Sequence, residues 1–62
     1  MIMLNLQIFR KKKGFTQSQI AREIGVTQQT YSKWETGKSN PTIDKIQKIS
    51  KVLEIPITSL FR

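Results

Sequence analysis

Apolar residues recur along the chain with a spacing near 3.6, and glycine and proline cut that pattern into short runs. Residues Asn5 to Lys13 predict a first helix, with Leu6, Phe9 and Ile2 on its apolar stripe and Gly14 as its stop. Thr16 is placed to cap a second helix, and Gln19, three residues on, has the spacing of a capping box. Ile20, Ala21 and Ile24 are the expected buried side of that helix, and Gly25 its end. Thr27 can cap a third helix that runs to about Thr36 and stops at Gly37, with Tyr31 and Trp34 turned inward. After the loop KSNP, Thr42 can cap a fourth helix, where Asp44 suits the positive end of the helix dipole. Ile43, Ile46, Ile49 and Leu53 stand at i, i+3, i+6 and i+10 on one face, and Val52 falls outward. Pro56 suits the first turn of a short fifth helix ending near Phe61. The chain has no repeat, no low-complexity stretch and no period-2 strand signal. The expectation is an all-α single domain over residues 1–62, built from five short helices.

Composition narrows what such a domain can do. A chain of 62 residues buries only about 60% of its unfolded surface, so its core must be efficient. There is no cysteine and no histidine, which excludes a disulfide framework and a thiolate metal site and removes the commonest general base. The acids are Glu23, Glu35, Asp44 and Glu54, and no pair of them converges for acid–base work. The expectation is therefore no enzyme, no metal and no cofactor. Eleven Lys and Arg against four Asp and Glu leave a net charge of +7. So strong a field favours a polyanionic partner: DNA, RNA or an anionic membrane surface. The apolar run MIMLNLQIF precedes RKKKG, the reverse of a secretory signal, and is too short to span a bilayer. The expectation is a natural start at Met1, no targeting segment and a cytoplasmic location. A basic amphipathic helix lying on lipid is the membrane alternative. Apolar residues spread evenly over capped helices argue instead for one globular core.

The second and third helices carry the most specific pattern. Ile20 and Ile24 point inward, and Ala21 supplies a small residue where two backbones approach. Gly25 tolerates the positive φ of a tight corner, Val26 plugs the elbow, and Tyr31 and Trp34 follow as inward residues. Seven residues at these spacings describe a helix-turn-helix over about residues 16–36. The segments FRKKKG, FTQSQIAREIGVTQQTYSKWETGK, NPTIDKIQKISKVLEI and PITSLF resemble the phage repressor and Cro-type family, also called the xenobiotic-response-element type. The resemblance covers Asn5 to Phe61. It implies a five-helix lambda-repressor-like domain and a homodimer on a palindromic double-stranded DNA operator. Relatives carry glycine after helix 4, where this chain has Glu54, and serine before helix 5, where it has Pro56. Glu54 is thus expected in a left-handed conformation.

At 100° per residue, Gln29, Lys33 and Thr36 lie opposite the Tyr31–Trp34 side of helix 3, with Ser32 beside them and Gln28 on the flank. A recognition helix enters the major groove with its N-terminal residues foremost, and glutamine there can bridge adenine N6 and N7. Gln28 and Gln29 are the first candidates for base readout, joined by Lys33, Thr27 and Ser32. Thr27 and Thr30 suit a thymine methyl or a phosphate. Gln17, at the start of helix 2, and Thr30, Thr36, Lys38, Ser39 and Asn40 are candidates for the DNA backbone. Family pairing implies a partly buried ion pair between Arg10 and Glu35 that orients helix 3. Lys11, Lys12, Lys13, Lys45, Lys48 and Lys51 are expected to be solvated ends and faces. Tyr31 and Trp34 are read as core residues, not as stacking platforms for bases. The function so read is a sequence-specific DNA-binding transcriptional regulator, a repressor, reading the major groove with helix 3. The alternative is a protein-interaction module, antitoxin-like, using Val52, Ile57 and Phe61 to hold a partner.

Overall fold

Three threonines set the starts of three helices. Thr16, Thr27 and Thr42 each sit in extended backbone, and their side-chain oxygens accept from the amides of Gln19, Thr30 and Lys45. That bond satisfies one of the amides a helix start leaves open. At Thr16 the box closes, because the Gln19 side chain accepts the Thr16 amide at 2.9 Å. In the computed structural model, which describes residues 4–61, the elements are α1 (Leu6–Lys13), α2 (Gln17–Ile24), α3 (Gln28–Thr36) and α4 (Ile43–Leu53), then one 3-10 turn (Ile57–Leu60). The expected fifth helix is thus a single turn. Pro56 stands before it in extended backbone, and the Ser59 amide closes onto the Pro56 carbonyl at 2.9 Å, an i to i+3 bond. Four residues offer too little length for α-helical bonds to accumulate.

The core is one cluster drawn from every element: Leu6, Ile20, Ala21, Ile24, Tyr31, Trp34, Ile46, Ile49, Leu53 and Leu60. α2 lies at its centre, packed on both α3 and α4, while α1 packs on α3 and α4. Tyr31 and Trp34 meet edge to face with ring centroids 5.9 Å apart, the arrangement ring quadrupoles favour. Phe9 is half-buried on this cluster, as is Val52, which the periodicity had placed outward. Ile43 is the reverse case: it is 61% exposed, because the buried face of α4 begins one turn later, at Ile46. Ile2 lies outside the described residues. The chain ends meet, since the Asn5 amide donates to the Leu60 carbonyl at 2.8 Å and Leu4 pairs antiparallel with Phe61.

All four helices end on a left-handed residue, Gly14, Gly25, Gly37 and Glu54. Gly25 has φ 89°, and its amide donates to the carbonyls of Ala21 and Arg22. The Val26 amide returns to Ala21 as well, so the turn into α3 is a tight helix cap of the kind glycine favours. Glu54 ends α4 at φ 57° and is the only non-glycine with positive φ among the described residues.

Candidate nucleic-acid interface

α3 is fastened by its inner side and left bare on its outer one. Tyr31 is fully buried and Trp34 nearly so, which turns Gln28, Gln29 and Lys33 to solvent. Gln28, Gln29, Ser32 and Lys33 line an open groove together with Gln17 from the start of α2. Five sequence candidates therefore share one surface. The amide groups of Gln28 and Gln29 offer donors and acceptors side by side, and Lys33 adds a positive charge.

The remaining candidates are placed differently. Thr27 uses its oxygen to cap α3, and its hydroxyl contacts that of Thr30 at 3.0 Å. Both hydroxyls are engaged locally, which leaves their methyl groups as the outward chemistry. The Thr36 hydroxyl donates back into its own helix, to the carbonyls of Ser32 and Lys33. Lys38 and Asn40 are exposed and Ser39 half-buried in the loop after α3. The amides of Lys38 and Ser39 both close on the Lys33 carbonyl.

Behind the groove lies a buried polar clasp. Arg10 Nε donates to Glu35 Oε2 at 2.6 Å, with side chains only 9% and 4% exposed. Arg10 Nη1 donates to the Phe15 carbonyl at 2.8 Å, so the guanidinium ties α1 to the α1–α2 loop and to α3 at once. Gln17 Nε2 donates to Glu35 Oε1 at 2.9 Å. Burial works against the Glu35 charge, but the hydrogen bonds from Arg10 and Gln17 outweigh it and hold the carboxyl below its ordinary range. The same partner holds Arg10 above its ordinary range, against burial. The Tyr31 hydroxyl is buried without a hydrogen-bond partner, and burial pushes its titration far up.

The Gln17–Glu35 bond was not read from the sequence. It changes the role expected of Gln17, because its donor group is turned inward to the carboxylate. A phosphate at this place would find the α2 backbone amides rather than the Gln17 side-chain nitrogen. The signal was the coincidence of a buried acid on α3 with an amide at the start of α2. Only the crossing of the two helices makes them neighbours. Among the described residues no three acidic groups converge as metal ligands, and no helix is long and apolar enough to cross a membrane.

Comparison with known proteins fits this geometry. Residues 6–60 match the family model described as Helix-turn-helix. The transcriptional regulator SlrR of Bacillus subtilis is 39% identical over 57 residues, which are 90% of this chain and 38% of that protein. The phage transcriptional repressor RstR of Vibrio cholerae is 43% identical over 51 residues, 82% of this chain and 46% of that one. The chain thus spans less than half the length of these two relatives. The crystal structure of the biofilm regulator SinR in complex with DNA superposes with a TM-score of 0.80 at 31% identity, covering 87% of each chain.

Proposed function

From the premise that this chain belongs to the helix-turn-helix family, we propose that it is a sequence-specific regulator of transcription that reads the DNA major groove through α3. The observation that carries the reading is the groove lined by Gln17, Gln28, Gln29, Ser32 and Lys33. Neutral amides solubilise a helix less well than charges, yet an amide can pair with both N6 and N7 of adenine where lysine can only donate. Thr27 and Thr30 bring methyl groups to the same edge, suited to thymine. Lys38, Ser39 and Asn40 follow the C-terminal end of α3 and serve the DNA backbone, as do the α2 amides beside Gln17, while Thr36 would have to release its bond to the helix to join them.

Such a protein acts by occupancy and needs no catalytic group. Bound at a promoter it represses by excluding polymerase, within the cytoplasm where the DNA lies. It binds as a homodimer on an inverted repeat, joined through its apolar C-terminal surface. RstR is named as a transcriptional repressor, and SinR was crystallised with DNA; both facts favour this reading. The test is selection from a random duplex library at about 0.15 M salt, where generic phosphate binding is already weakened. Enrichment of two inverted half-sites about 34 Å apart is the expected result. Folded protein that enriches nothing sinks the proposal.

A second reading has one observation in its favour. Ile8 is 52% and Phe61 39% exposed, and an antitoxin-like partner could cover them. A stoichiometric protein partner recovered in a pull-down, with no selected DNA, would put this reading first.

A further inference from the structure

The basic residues are not concentrated on the reading groove. Of the eleven, only Lys33 lines it. Arg10 is neutralised by Glu35, and Lys13 by Glu54. A second concentration lies on α4, whose outer side forms an open groove lined by Thr42, Asp44, Lys45, Gln47, Lys48 and Lys51. The chain's other lysine run joins it. Lys13 Nζ reaches Glu54 Oε1 at 2.7 Å, across 41 residues, which ties the end of α1 to the cap of α4. Lys11 and Lys12 are exposed beside that junction. The bridge thus brings the end of α1, which carries the lysine run, to the C-terminal end of the α4 row. α3 and α4 both pack on α2, and the groove on α4 shares no lining residue with the reading groove.

We propose that the lysine groove of α4, extended by the end of α1, docks the sugar–phosphate backbone of a second DNA duplex. A molecule reading one segment through α3 would then hold another against a separate surface. The inference rests on DNA being the partner of α3. Two features favour a duplex over an acidic protein. The groove has no apolar lining residue, whereas protein interfaces are anchored by buried apolar and aromatic side chains. A phosphate backbone needs only charge and hydrogen-bond donors, which the three lysines, Thr42 and Gln47 supply. The lysines recur at i, i+3 and i+6, which sets their Cα atoms about 4.5 Å apart along a straight axis. A linear polyanion can follow such a row. Asp44, the groove's one carboxylate, sits at its N-terminal end and leaves the row from Lys45 to Lys51 unbroken.

The test is a sandwich assay on the whole chain. A bead-held duplex carrying the selected site is saturated with protein, and a labelled duplex of unrelated sequence is added. Wild-type protein should retain the second duplex. Three phosphate contacts would make that retention fall about 40-fold between about 50 and about 200 mM salt. The triple variant Lys45→Gln, Lys48→Gln, Lys51→Gln should keep wild-type preference for the bead duplex but lose about tenfold or more of the second. Glutamine preserves helix propensity, and circular dichroism checks the fold. Equal retention by wild type and variant would overturn the inference, since bridging would then come from a second reading helix in an oligomer. Wild-type protein that retains polyglutamate but no duplex would also overturn it, in favour of an acidic protein. If no selected site exists, direct titration of the unrelated duplex decides. An unchanged affinity in the triple variant overturns the proposal, and a tenfold loss supports it apart from any sequence reading.

Discussion

Gln28 and Gln29 are exposed in the first turn of α3, the part of a recognition helix that enters the major groove in the proposed reading. A bidentate amide–adenine pair is worth about 1–3 kcal/mol of discrimination against a wrong base. Replacing Gln28 or Gln29 by Ala should relax preference at one base pair by that amount. Affinity for unrelated duplex should stay unchanged, as competition binding would show. Uniform weakening across all sequences would mean the residue touches only phosphate. Glu35 works from behind. Its pKa is lowered in the fold, so the stability it contributes is fully present above the ordinary carboxylate range, near pH 4.3. That stability is lost as pH falls through the lowered value. Thermal melts from pH 7 downward should therefore show a loss beginning near pH 4 to 5, and Glu35→Gln should flatten that part of the profile. At neutral pH, Glu35→Ala should destabilise by about 3 kcal/mol, because Arg10 stays buried without its partner. The pair itself followed from family resemblance. Gln17 as third member did not, because sequence spacing cannot tell which residues of two crossing helices meet.

At the scale of elements, the three threonine caps, the three glycine stops and the buried faces of α2 and α3 were all legible, since each rests on contacts within a few residues. Two readings of α4 depended on what covers it, and both changed. Ile43 belongs to the right stripe but stands at the first helical position and is exposed, while Val52 is half-buried by neighbours that periodicity cannot see. The last helix shortened to one 3-10 turn for want of length. Glu54 did adopt the expected left-handed conformation, with φ 57°. A non-glycine residue there is strained, and its carboxylate is an exposed partner of Lys13, an arrangement that contributes little in water. Glu54→Gly should therefore raise the melting temperature, measured at moderate salt. A lowered melting point would show that the Lys13 bridge outweighs the backbone strain. Gly25 is the opposite case. A Cβ there would meet nothing within 4 Å, yet φ 89° disfavours any side chain. Gly25→Ala should cost about 1–2 kcal/mol from conformation alone, seen as a lower denaturant midpoint with an unchanged slope.

At the scale of the whole molecule, the surface is unevenly finished. Two of its large apolar residues, Ile8 and Phe61, stay open to solvent, and Leu4, which pairs with Phe61, is half-buried. Pairing of the chain ends gathers Leu4, Phe61 and the Leu60 carbonyl into one region. A protein that reads an inverted repeat must hold two α3 helices about one helical turn apart, and a fixed spacing requires a self-complementary patch. The region around Phe61 offers one apolar surface for it. Phe61→Ser should then leave the monomer fold intact, because Phe61 stands outside the buried core. Sedimentation should shift towards monomer, and affinity for a full operator should fall far more than affinity for a single half-site. Equal loss on both would place Phe61 in folding rather than assembly. No change on either would mean that the copies meet elsewhere, or that one copy suffices to read its site.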